Sequence, residues 1–146
     1  MGAEPSLERL LALELTDSQG AAWRFSDALR RGPLLVVFIR GAWCFLSRRA
    51  LGGLRAEAER FALEGWQVAV VSPDPPDKLD ALAKRVKASY PMLSDPASTA
   101  AEALGAVLER RHQCPFPAAF LIAPDGVIRF RHVGRDSRDW PDWKEI

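Results

Sequence analysis

Cysteine and histidine are scarce in this chain of 146 residues, which holds Cys44, Cys114, His112 and His132 and no others of either type. Two thiols are too few for the disulfide framework of a small secreted domain. With no Cys or His grouped at ligand spacing, neither a metal site nor a bound cofactor is expected. An excess of charge of one sign is also lacking. Twenty Lys and Arg face nineteen Asp and Glu, a net charge of +1, so no overall field attracts nucleic acid or an anionic membrane. Long hydrophobic runs are missing too: LLVVFI is far shorter than the roughly 20 residues that cross a bilayer. The opening MGAEPSLERL carries acids and has no basic region or apolar stretch of the signal-peptide kind. The expectation is a cytoplasmic protein with no nucleic-acid or membrane partner.

What is present is ordinary globular composition, 48% hydrophobic and 27% charged, which argues against disorder or a fibrous repeat. The length suits one domain over residues 1–146, and no internal repeat, low-complexity tract or linker interrupts it.

Along the chain, LALELTDSQGAAWRF reads as a hairpin-like entry at a sheet edge, turning at Asp17–Gly20. After Pro33, the run LLVVFI suits a strand buried on both faces. From Phe45 to Glu64, Leu46, Ala50, Leu51, Leu54, Ala58, Phe61 and Ala62 recur at intervals of three and four, which predicts a helix. The strand WQVAVVS follows, then a helix opened by Pro75-Pro76 and running to about Lys87. A short extended piece at Met92–Asp95 leads into a third helix that begins at Asp95-Pro96 and ends at Gly105. Two antiparallel strands joined at Pro124-Asp125-Gly126 close the pattern. Parallel strands linked by helices and finished by an antiparallel hairpin predict an α/β fold: a central mixed β-sheet flanked by helices on both faces.

This order puts Cys44 between a buried strand and the first turn of a helix. Unpaired backbone N–H groups and the helix dipole stabilise a thiolate there. Arg40, Arg48 and Arg49 lie within a few residues, and Arg40 is the preferred thiolate stabiliser. The plainer reading is a small buried residue, because free cysteines are commonly buried; the strand-to-helix context favours the reactive one. Cys114 lies in a loop, QCPFP, with no helix terminus, and reads as an inert thiol. His112 and His132 are given no role. Asp74, Asp77 and Asp80 read as complements to a helix N-terminus rather than as metal ligands. The tail WPDWKEI is expected to pack on the body or on another subunit.

The segment FIRGAWCFLSRRAL resembles the F-Y-R-G-x-W-C-P-x-C-x-x-x-L stretch of peroxiredoxin-like AhpC/TSA proteins of the thioredoxin-fold superfamily. YPMLSDPASTAAEALGA resembles their L-S-D-P helix entry, and PFPAAFLIAPDGVIRFRHVGRD their strand pair. The resemblance covers most of the chain. It implies a thioredoxin-like fold, Cys44 as the attacking cysteine, and Pro117 as a cis-proline facing it. It further implies a hydroperoxide or disulfide substrate, an external thiol reductant, and a homodimer formed through sheet edges or loop faces.

Two departures stand out. Ser47 replaces the second cysteine of the C-P-x-C pair, so no thiol three residues on can release a mixed disulfide. Gly41 stands where the relatives have a Thr or Ser that orients the peroxide. Cys114 is the remaining candidate for a resolving thiol, given a Cα separation from Cys44 of at most about 7 Å. Three readings follow: a thiol-dependent peroxidase acting through Cys44, a monothiol oxidoreductase working by mixed disulfides, and a non-catalytic binding module on the same fold.

Overall fold

The computed structural model describes residues 5–146. Its frame is a seven-stranded mixed sheet in the order β2-β1-β5-β4-β3-β8-β9. The central strand β3 (Leu34–Phe38) is buried along its whole length. It pairs in parallel with β4 (Gln67–Ser72) and antiparallel with β8 (Ala118–Ile122). Strand β4 pairs in parallel with β5 (Met92–Ser94), which meets β1 (Glu14–Asp17) antiparallel; β2 (Ala22–Arg24) and β9 (Ile128–Val133) form the edges.

The period of two along β3 divides the core. Leu34, Val36 and Phe38 join one apolar layer with α1 (Leu7–Leu11), α2 (Phe25–Arg31) and α5 (Thr99–Leu104). Leu35, Val37 and Ile39 join the other, against α3 (Phe45–Leu63) and α4 (Pro76–Val86). A strand apolar on both faces is what a sheet covered on both sides requires. The expected mixed sheet between helical layers, with its entry hairpin and closing antiparallel strands, is the fold observed.

The differences are local. α2 lies within or beyond the stretch read as hairpin; it spans seven residues and has no side-chain N-cap, so it offers neither a repeating stripe nor a start signal. The third helix starts at Thr99 rather than at Asp95-Pro96, because the Asp95 carboxylate accepts from the N–H groups of Thr99 and Ala100 and so acts before the first turn. The segment read as a loop around Cys114 contains a two-stranded ribbon of β6 (Leu108–Glu109) and β7 (Cys114–Pro115). The tail packs on the body: Trp143, in a 3-10 turn (Trp143–Glu145), is 7% exposed and donates from Nε1 to the Ala50 carbonyl of α3.

Candidate active site

The end of β3 delivers Ile39, Arg40 and Gly41 to the top of the sheet, and Cys44 is the N-cap of α3. Cys44 N–H donates to the Gly41 carbonyl, closing a turn between strand and helix. Asp74, at the end of β4, fixes that turn from the neighbouring strand: its Oδ2 accepts from Ala42 N–H at 2.7 Å and from the Ser72 hydroxyl at 2.6 Å. Asp74 therefore holds the cysteine turn instead of complementing a helix start. Asp77 does lie in the first turn of α4.

Arg40 is the hub. Its side chain is almost fully buried; Nη1 donates to Cys44 Sγ at 3.4 Å and Nη2 donates to Glu109 Oε2 at 2.8 Å, while Nε is buried without a partner. Trp43 covers the guanidinium, with the ring centroid 4.9 Å from the Arg40 Cζ, and its other neighbour is the His112 ring at 5.0 Å. Arg40 N–H donates to the Ser47 hydroxyl at 3.1 Å, and Ser47 is wholly buried. Of the other two nearby arginines, Arg48 donates to the Ala42 carbonyl, and Arg49 is exposed and lines a cleft on the outer face of α3.

The two thiols are free, buried and oppositely polarised. Burial pushes Cys44 up, but the Ser47 hydroxyl and N–H, and then Arg40, outweigh it, so the thiol lies below its ordinary 9.0. Cys114 is pushed up to about 12 by burial and by the Glu109 carboxylate, to which its thiol donates at 3.3 Å. Glu109 feels burial in the same direction, but hydrogen bonds from Arg40, His112 and Cys114 bring it down to about 2. His112 Nδ1 lies 2.8 Å from Glu109 Oε1.

The structure thus joins Cys44, Arg40 and Ser47, and reaches Cys114 through Glu109. Glu109 and His112 carry no sequence signal, since they come from a segment 65 residues or more beyond the cysteine, and the shielding by Trp43 shows only once His112 is brought beside it. The expected cis-proline is corrected: no peptide bond among the described residues is cis. Pro117 instead continues an extended path, with Phe116 N–H donating to the Val107 carbonyl and the Pro117 carbonyl accepting from Gly134 N–H. The trans bond, favoured by about 0.5–1 kcal/mol, suits such a path. Gly41 also gains a reason: a Cβ there would lie 2.3 Å from Trp43 Nε1, so the indole fills the space a Thr or Ser would need.

Among the described residues, no cluster of His, Cys, Asp and Glu is arranged to hold a metal ion, and no helix is long and apolar enough to cross a membrane.

Residues 8–131 match the family model of the AhpC/TSA family. No curated protein matches the chain. Among solved structures, peroxidoxin BcpB from Mycobacterium tuberculosis is 25% identical with a TM-score of 0.78, over 94% of this chain and 88% of that one. The bacterioferritin comigratory protein of Xanthomonas campestris, described for its alkyl peroxide reduction, is 18% identical with a TM-score of 0.75, over 90% and 87%. AhpC from Enterococcus faecalis is 23% identical with a TM-score of 0.72, over 88% and 86%.

Proposed function

Because the chain belongs to the AhpC/TSA family, we propose that it is a thiol-dependent peroxidase in which Cys44 reduces hydroperoxides and an external thiol restores it. The observation that carries this reading is the Cys44 sulfur at the start of α3, 3.4 Å from Arg40 Nη1 and shifted toward the thiolate. A thiolate is the attacking form.

In the oxidative step the Cys44 thiolate attacks one peroxide oxygen, a sulfur–oxygen bond forms and the oxygen–oxygen bond breaks. The leaving alkoxide takes a proton and departs as an alcohol, and Cys44 becomes a sulfenic acid. Arg40 holds the thiolate and keeps one buried N–H, at Nε, with no protein partner; this is the donor available to charge developing on the peroxide oxygens. A first reducing thiol then displaces water from the sulfenic acid to give a mixed disulfide. A second releases Cys44 and leaves as the disulfide of the reductant.

Cys114 is assigned a secondary role. Its thiol donates to Glu109 and lies near pH 12 in its ionisation, which makes it a poor nucleophile while that contact holds. Ser47, in the place of a second thiol, speaks against a dithiol reductase.

The test is peroxide consumption with dithiothreitol by wild type, Cys44→Ser and Cys114→Ser, with mass spectrometry of the trapped sulfur. Loss with Cys44→Ser alone is expected, with sulfenic acid on Cys44 as the trapped species. An absence of turnover and of Cys44 oxidation in wild type would overturn the peroxidase reading, and a loss with Cys114→Ser accompanied by a vanishing intramolecular disulfide would make Cys114 the resolving residue.

A further inference from the structure

The seam between α3 and α4 starts beside Cys44 and is basic out of proportion to a chain of net charge +1. Phe45, Arg48, Arg49, Gly52 and Arg55 recur at helical spacing on one face of α3, and Arg85, Val86 and Lys87 face them from the end of α4 around a cleft of about 450 Å³. Five of these eight residues are cations, and no carboxylate lines the cleft. Arg49, Arg55, Arg85 and Lys87 are exposed, and among the described residues no carboxylate forms an ion pair with any of the four side chains. A second cleft, of about 340 Å³, shares Arg48 and Arg85, adds Lys78, and reaches Ala42 and Trp43 of the cysteine turn. Its one carboxylate, Asp74, is committed to Ala42 N–H and the Ser72 hydroxyl.

Part of this charge has an ordinary cause. Arg85 and Lys87 lie at the C-terminal end of α4, where cations complement the helix dipole. Arg49 and Arg55 lie inside α3 and gain nothing of the kind, and like charges gathered across a cleft repel one another. An arrangement that is unfavourable when empty and becomes favourable when an anion enters is what a binding site for an anion looks like. The exposed rings of Phe45 and Trp43 (64% and 52%) give the bound molecule apolar contact at the end nearest the sulfur.

We infer that this groove holds the carboxylates of a compact thiol reductant bearing at least two of them, and presents its sulfur to oxidised Cys44. The inference rests on the peroxidase reading and names the class of its reductant. Five cations in so short a cleft call for more than one negative charge, which disfavours a long-chain monocarboxylate. The chemistry is the reductive step above: the bound thiol forms a sulfur–sulfur bond with Cys44 as water leaves, and a second molecule of the same thiol releases Cys44.

The test oxidises Cys44 with one equivalent of hydrogen peroxide and follows reduction, per thiolate, by glutathione and by glutathione diethyl ester, whose carboxylates are masked. Wild type and the Arg49→Glu/Arg85→Glu double variant are compared. In wild type glutathione is expected to be faster than its ester by about threefold to tenfold at low salt, as two exposed ion pairs allow. That advantage should shrink with added salt and disappear or reverse in the double variant, with which the ester, a cation through its remaining ammonium, reacts no more slowly than with wild type. Equal rates for the two thiols in wild type, or an advantage that survives the double variant, would overturn the inference.

The parent reading is separated by a binding arm. Cys44→Ser is titrated calorimetrically with S-methylglutathione, which cannot react. Failure of peroxide to oxidise Cys44 in wild type sinks the peroxidase reading and with it the assignment of a reductant. Binding that the double variant abolishes supports the groove as a carboxylate site in either case, and an absence of binding counts against it.

Discussion

Arg40 and Glu109 meet at 2.8 Å through Nη2 and Oε2, and that one carboxylate oxygen also accepts the Cys114 thiol. A single buried ion pair therefore sets the two cysteines apart: its cation faces Cys44 and its anion faces Cys114. The reduced protein has one sulfur prepared to react and one held as a thiol.

Glu109→Gln should narrow this difference. With the carboxylate gone, the ionisation of Cys114 is expected to fall from about 12 toward its ordinary 9.0, and Cys114 should alkylate at lower pH than in wild type. Mass-resolved iodoacetamide labelling across pH reads both thiols at once. The nearly buried Arg40 loses its anionic partner, so a stability loss of about 1–2 kcal/mol is expected in urea denaturation.

The same two groups set the pH limits of stability. Glu109 is lowered to about 2 from 4.5. Its contribution is present above pH 4.5 and is lost as pH falls through 2, because the native state must then take up a proton it resists. Cys114, raised to about 12, contributes fully below pH 9 and loses that contribution as pH rises toward 12, where the unfolded thiolate is favoured. Thermal unfolding midpoints against pH should decline at both ends. Glu109→Gln should flatten the acid limb, and Cys114→Ala the alkaline one.

Ser47→Ala should raise the ionisation of Cys44 and slow its oxidation at pH 6 more than at pH 9, since the hydroxyl favours the thiolate and accepts from Arg40 N–H. Stopped-flow peroxide kinetics across that range would show it. An effect that did not depend on pH would mean that Ser47 acts only through the fold. The buried, orphaned N–H of Arg40 adds a stability loss of about 1–3 kcal/mol.

Gly41→Thr restores the residue type found in the relatives, yet it should slow the protein. A Cβ at 41 collides with Trp43 Nε1, so the indole must leave its place over Arg40 and beside His112. A change in tryptophan fluorescence is expected with the loss of rate, and Trp43→Ala in the same chain should relieve part of it.

Much of this was legible in the sequence. LLVVFI and the three- and four-residue spacing after Phe45 are long, regular signals, and together they located Cys44 at a strand-to-helix junction and Arg40 four residues before it. α2 was not legible, since its seven residues, with Phe25, Ala28 and Leu29 buried, form less than two turns and carry no cap. Glu109 was not legible either. A two-residue strand such as β6 makes no pattern, and its pairing with the equally short β7 leaves no alternation to read, while the distance in sequence from Glu109 to Arg40 hides their contact. The expected cis bond at Pro117 came from resemblance alone, and the hydrogen bonds on either side of it support a trans path.

Among the described residues nothing pairs with the outer side of strand β9, and Arg129 and Arg131 are exposed along it. Two molecules approaching through this border around a twofold axis would bring guanidinium groups into cross-strand proximity, where like charges repel. The border thus discourages continuous sheets between copies, as charged side chains on open strands do in general.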